Sequence, residues 1–210
     1  CGGWGKPTFN DFIQKYPDQI APIAVHIKYN DPMITVHSNA IDNNNYGQKY
    51  TPQIWVNDTN GVSLSVNSIN TAASIAKIDR LILNALGSNV PKLDAGFEIS
   101  GNKMLVKFGV KMNGELAAGD YYLSCFLMGN GLVYEQRNYA NNPATHNDYI
   151  IDAAFDSTFG KHINYSGNGE LLSEFLTDFN IEANAAPGKY HLRLVLWRKL
   201  NNRYQPVCGF

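Results

Sequence analysis

The sequence predicts an α/β domain over residues 1–88 followed by an antiparallel β-sandwich over residues 89–210. Three observations predict it. Before residue 88, apolar residues recur at helical spacing in segments separated by short apolar runs. After Pro91, apolar and polar residues alternate, first through Leu93, Ala95, Phe97 and Ile99 and then through Met104, Val106, Phe108 and Val110. Between the two patterns lies the turn-rich join Gly87 to Pro91.

Residues 7–16 read as the first helix: Pro7 suits a first helical position, and Phe9, Phe12, Ile13 and Tyr16 share a face. Pro17-Asp18 ends it. The run Ile20 to Ile27 reads as a buried parallel strand. Asp31-Pro32 reads as the cap and first turn of a second helix carrying Met33, Ile34, Val36 and Ile41, broken by the Asn-rich stretch Asp42 to Tyr46. Pro52 to Val56 reads as a strand, Asp58 to Gly61 as a hairpin turn and Val62 to Val66 as the return strand. Ile69 to Leu86 is the strongest helical pattern, with Ile75, Ile78, Ile82 and Leu86 in phase and Gly87 as the stop. Beyond the two alternating runs, strands are predicted over residues 121–128, 132–137, 149–155, 171–181, 190–197 and 204–208.

Composition narrows the partners. Charged residues make up 17% and the net charge is −1, which gives no electrostatic reason to expect nucleic acid or an anionic membrane surface. Hydrophobic residues at 44% suffice for a core, and no apolar run approaches the length of a bilayer span. Low charge with twelve Tyr and abundant Asn and Gly leans towards an extracytoplasmic β-rich protein. Three cysteines leave at least one unpaired within the chain. Cys125 and Cys208 lie in strand-like segments and read as buried inert thiols, with a bridge between them as the second reading.

The stretch Tyr50-Thr51-Pro52-Gln53-Ile54-Trp55-Val56-Asn57 places a proline at the start of an apolar strand, where it marks an edge, a bulge or a special turn. Thr51-Pro52 is a candidate cis peptide. The pattern resembles the cis-proline strand and hairpin of the thioredoxin fold, in which that loop faces the redox cysteine. The order helix, strand, helix, strand, strand, helix matches a thioredoxin core lacking its first, central strand. A sheet without its centre leaves ladder groups unpaired, so that strand is expected upstream of Cys1, the rival reading being that another segment fills the gap. With Cys1-Gly2-Gly3-Trp4-Gly5-Lys6-Pro7, Ile20-Ala21-Pro22-Ile23-Ala24-Val25-His26 and the late run from His146-Asn147-Asp148-Tyr149 through Phe159-Gly160, nearly the whole chain resembles the Bacteroidetes twenty-eight-kilodalton outer membrane protein family. That resemblance implies a thioredoxin-like domain followed by a β-sandwich, often on a lipoprotein. It implies an extracytoplasmic place in the outer membrane or periplasm, with other envelope proteins as partners and a lipid anchor as the membrane attachment.

Cys1 is the candidate catalytic residue. A thiol at a helix N-terminus is stabilised as thiolate by the dipole and the free N–H groups. Position 4 is Trp, so no Cys-X-X-Cys begins at Cys1. Three readings stand: a redox cysteine whose partner precedes the sequence, a lone vestigial thiol, or a lipid-bearing N-terminus. The thioredoxin resemblance implies that Trp4, Thr51 and Pro52 would face a substrate. None of His26, His37, His146, His162 and His191 has metal-ligand spacing to a second ligand, and no phosphate loop, nucleophile elbow or paired carboxylate is present, so neither metal nor cofactor is expected. Asp31, Asp42 and Asp148 read as caps and turn residues. Tyr121, Tyr122, Tyr134, Tyr139 and Trp197 are candidates either for a ligand platform or for sandwich core. Asp156-Ser157-Thr158 resembles a short glycosylation acceptor of the same bacterial phylum. The leading functional expectation is a non-enzymatic envelope protein. The alternatives are a thiol–disulfide oxidoreductase and a carbohydrate- or peptide-binding surface module.

Overall fold

The computed structural model describes residues 3–27, 30–44, 51–65, 68–88, 90–135 and 143–210. Antiparallel sheets dominate, with three α-helices. Two compact units emerge, one formed by Cys1–Ile20, Gln48–Asn89 and Val133–Thr145, the other by Ala21–Gly47, Val90–Leu132 and His146–Phe210.

The first unit is built on α1 (Gly5–Lys15) and α3 (Thr71–Leu86). Asn70 caps α3 by accepting the Ala73 N–H through Oδ1 at 3.0 Å, which satisfies one of the free donors of the first turn. Half of the predicted helical face is buried: Ile78 and Ile82 pack with Phe12 and Tyr16, joined by Ile20, Ile54 and Val56, while Ile75 and Leu86 stay exposed. The hairpin differs from the expectation in its register. Strands β1 (Trp55–Val56) and β2 (Thr59–Asn60) pair directly, so the turn is Asn57-Asp58. Asn57 takes a φ of +51°, the left-handed value that such a two-residue turn demands and that Asn tolerates. The return segment forms a second small pair, β3 (Leu64–Ser65) with β4 (Ser68–Ile69).

In the second unit, α2 (Val36–Asn44) starts later than Asp31-Pro32 suggests. Asp31 instead forms a side-chain turn, with Oδ1 accepting the Met33 N–H at 2.9 Å and Oδ2 bonded to His26 Nδ1 at 2.7 Å. Capping passes to Thr35 and Ser38: Thr35 Oγ1 accepts the Ser38 N–H, and Ser38 Oγ accepts the Thr35 N–H. The strand expected over Ile20 to Ile27 reduces to one parallel bridge, Ala24 to Tyr149. Pro22 has no N–H to give a ladder, and Ala24 donates its N–H to Asp148 O at 2.7 Å.

Two sheets complete this unit. Strands β5 (Lys92–Ser100), β6 (Lys103–Met112) and β12 (Leu171–Asn180) form a three-stranded sheet in the order β12-β6-β5. The larger sheet runs β10 (Tyr149–Ala153), β7 (Gly119–Gly129), β13 (Tyr190–Leu200), β14 (Arg203–Gly209), with β11 (Lys161–Tyr165) also on β7. The short pair β8 (Leu132–Tyr134) with β9 (Ala144–His146) is a sheet of its own, and its residues from Val133 to Thr145 belong to the first unit. Inward residues of both sheets share one core: Met104, Val106, Phe108 and Val110 meet Leu123, Cys125, Leu127 and Leu194. The opposite face of β7 and β13 is also covered. Phe126, Met128, Val195 and Trp197 pack with Ile41 of α2 and with Ile150, Phe159 and Tyr204. Burial on both faces explains why residues 121–129 read as nearly unbroken buried positions; each such large side chain contributes about 1.5–3 kcal/mol.

Candidate functional site

Cys1 lies outside the described residues, so the site is built from Trp4 onward. Trp4 is the N-cap of α1; its carbonyl accepts the Thr8 N–H at 2.9 Å, and its indole makes no cap bond. The next residue, Gly5, meets Pro52: a Cβ built on Gly5 would stand 2.5 Å from the proline Cβ and 2.6 Å from its Cγ. The Thr51–Pro52 peptide is cis, with Thr51 exposed and Pro52 half-buried. The start of α1 and this loop are therefore neighbours, although they lie 47 positions apart by the difference between residues 52 and 5.

On the same two helices, Asp79 of α3 receives both Lys15 Nζ at 2.5 Å and Tyr16 Oη at 2.6 Å. The Lys15 ammonium, and after it the Tyr16 hydroxyl, hold the Asp79 carboxyl below its ordinary range, while Asp79 raises Lys15 and Tyr16 in return. A cleft of about 450 Å³ opens beside this group, with Phe12 and Ile75 on its walls.

In the two-sheet unit, Asp148 closes a polar ring. His191 Nε2 and Arg193 Nη2 lie 3.1 and 3.2 Å from its Oδ1. Asn130 donates to His191 Nδ1 at 3.2 Å, which leaves the ring proton on Nε2, and accepts the Asp148 N–H at 3.0 Å. Asp148 holds φ +55°, and burial lowers the Arg193 guanidinium while Asp148 pulls it back up. These partners are dispersed in sequence, and no local pattern points to them.

The thiols of Cys125 and Cys208 are free and buried, and burial pushes each up to about 12. Of the aromatic candidates, Tyr121 and Trp197 are core residues, Tyr122 is half-buried against Tyr204, Tyr134 is exposed, and Tyr139 lies outside the described residues. Trp197 donates its indole N–H to Ser124 Oγ at 2.7 Å, and Ser124 donates to Thr158 O at 2.7 Å. Within Asp156-Ser157-Thr158, the Thr158 hydroxyl is bonded to His37 Nδ1 at 3.0 Å and the Ser157 hydroxyl to Gly160, so both are engaged. Among the described residues, no group of three or more His, Cys, Asp or Glu is placed to hold a metal ion.

Comparison with known proteins locates the fold. The chain is similar to HBP35 of Porphyromonas gingivalis, at 14% identity over 100% of this chain and 70% of that one, with a TM-score of 0.71. At that identity the likeness is one of fold. A domain of the outer membrane lipoprotein Omp28 from the same organism also matches, 10% identical over 59% of this chain and 89% of that domain, with a TM-score of 0.38. No family profile and no curated protein sequence matches the chain.

The three-stranded sheet has the most exposed apolar surface of the described strands. Its outer face carries Leu105, Leu172 and Leu176 at 49%, 64% and 73% exposure. Between them stands a ladder of diagonal ion pairs, Lys103–Asp178 at 2.6 Å, Lys107–Glu174 at 2.8 Å and Lys111–Glu170 at 2.9 Å. Each is worth about 0.2–1 kcal/mol at such exposure. On the edge strand β5, Phe97 and Ile99 are 55% and 54% exposed.

Proposed function

We propose that this is a non-enzymatic protein of the bacterial cell envelope, of the outer-membrane lipoprotein type, in which residues 1–88 include a thioredoxin-like domain and residues 89–210 a β-sandwich used for binding or assembly. The observation that carries the binding role is the apolar surface of the three-stranded sheet, since exposed apolar residues gathered on one face mark interaction sites. The envelope location is supported by the low-charge, Tyr- and Asn-rich composition and by the motif resemblance. The thioredoxin-like reading is supported by the motif resemblance and by the approach of Gly5, at the start of α1, to cis-Pro52. Attachment in this reading is through an acyl chain, as the family resemblance implies; among the described residues, no helix is long and apolar enough to cross a membrane.

The second reading, a thiol–disulfide oxidoreductase with Cys1 as a redox thiol and Trp4, Thr51 and Pro52 against the substrate, is favoured by that same Gly5–Pro52 approach. One experiment separates the two. The protein is isolated from fractionated cells, its intact mass and N-terminal peptides are determined, and its turnover of a disulfide substrate is measured with wild type and Cys1→Ser. The envelope reading expects outer-membrane fractionation, acyl mass on the N-terminal peptide and no turnover above buffer. A cysteine upstream of Cys1 that bridges to it, with turnover lost in Cys1→Ser, overturns it in favour of the oxidoreductase. Recovery in the cytosolic fraction overturns both.

A further inference from the structure

The two edges of the three-stranded sheet are unlike in their charges. The acidic residues Asp178 and Glu174 of β12, with Glu170 just before it, are bound to β6 lysines. On β5, Lys92, Asp94 and Glu98 face outward, and among the described residues none of them makes an ion pair. Among the described residues β5 pairs with β6 alone, from Lys92–Lys111 to Ser100–Lys103, and no strand pairs with its other edge. A nine-residue edge strand with exposed Phe97 and Ile99 is a template for another strand.

We propose that this edge is the contact between two copies of the chain, joined antiparallel about a two-fold axis at Ala95, making one six-stranded sheet. The proposal rests on the assembly role given above to this unit and names the partner. Charge complementarity selects the register. Centring on Ala95 sets Lys92 opposite Glu98 of the second copy, twice by symmetry, and Asp94 opposite Gly96. On the core side it sets Phe97 opposite Leu93 and Ile99 opposite Pro91, covering the two exposed apolar side chains. Centring on Gly96 sets Asp94 against Glu98 twice, and centring on Asp94 sets that carboxylate against itself, both of which place like charges opposite one another. Centring on Phe97 leaves these charges unpaired, and a slip of one residue puts the apolar face of one copy beside the charged face of the other.

The test is a charge swap read by sedimentation equilibrium on the whole chain. Wild type dimerises reversibly. Lys92→Glu and Glu98→Lys each create two like-charge pairs and weaken the dimer by about tenfold or more. The double variant K92E/E98K restores the dimer, and an equimolar mixture of the two single variants forms a one-to-one heterodimer. Both positions are exposed, and recovery in the double variant and in the mixture excludes misfolding as the cause of the loss. Wild type that stays monomeric up to its solubility limit overturns the proposal, and so do single variants that dimerise like wild type. Neither result touches the envelope assignment, which the fractionation tests separately.

Discussion

Gly5 lies against Pro52 so closely that a single methyl group at Gly5 would stand 2.5 Å from the proline Cβ. A proline ring cannot rotate aside as a long side chain can, so the missing side chain at Gly5 is what lets α1 begin where it does. Gly5→Ala gains at most about 1 kcal/mol of helix propensity and loses about 1–3 kcal/mol to the overlap. The expected outcome is a net loss of stability in urea unfolding, larger for Gly5→Val.

Asp79 ties the end of α1 to α3 through Lys15 and Tyr16. Its carboxyl is depressed when folded, so its contribution is complete above the unfolded value and is lost as pH falls through the lower folded value. Lys15 and Tyr16 are raised, so theirs is complete below their unfolded values and is lost as pH rises through the folded ones. Asp79→Asn therefore lowers the urea midpoint at neutral pH and flattens the fall in stability on acidification. Urea midpoints across an acid pH series check both.

Cys125 and Cys208, pushed to about 12 by burial, carry almost no thiolate at pH 8. Iodoacetamide is expected to leave both unmodified in the native protein and to label both in denaturant, as read by peptide mass. Native labelling at either site would mean that the strands holding them open on the timescale of the reaction.

Asp148→Asn keeps a residue at home at φ +55° but removes the counter-charge of Arg193. The partly buried guanidinium then loses an ionic partner, at a cost of about 1–3 kcal/mol. Asp148→Ala loses more, because Ala tolerates that backbone poorly and leaves His191 Nε2 without its acceptor. Thermal unfolding of the two variants is expected to rank them in that order.

Elements whose residues repeat at one period over many positions were legible in the sequence: α3, and the β5–β6 hairpin around Gly101-Asn102. Elements set by a local choice between two polar groups were not. Asp31 and Thr35 can both cap a helix, and the winner is Thr35, because the Asp31 side chain goes to His26 and to its own turn. Strand β11 escaped notice because Lys161 to Tyr165 is short and polar at its outward positions. At the site, Thr51-Pro52 could be picked out as a proline just ahead of an apolar run, although the strand itself begins only at Trp55. The approach of Gly5 could not, since a glycine advertises nothing about what lies beside it. The ring of Asp148, His191, Arg193 and Asn130 was equally hidden, because residues brought together by different strands share no spacing along the chain.

The three tryptophans are divided between the units. Trp4 and Trp55, half-buried, belong to the first, and Trp197, buried and bonded to Ser124, to the second. An indole sealed from water emits further to the blue than one in partial contact with it. The intrinsic fluorescence of the unmodified protein is therefore a two-colour record: the blue component follows the sheets and the red component follows the helices around Pro52. Whether the units melt together or in turn can be watched without adding a dye.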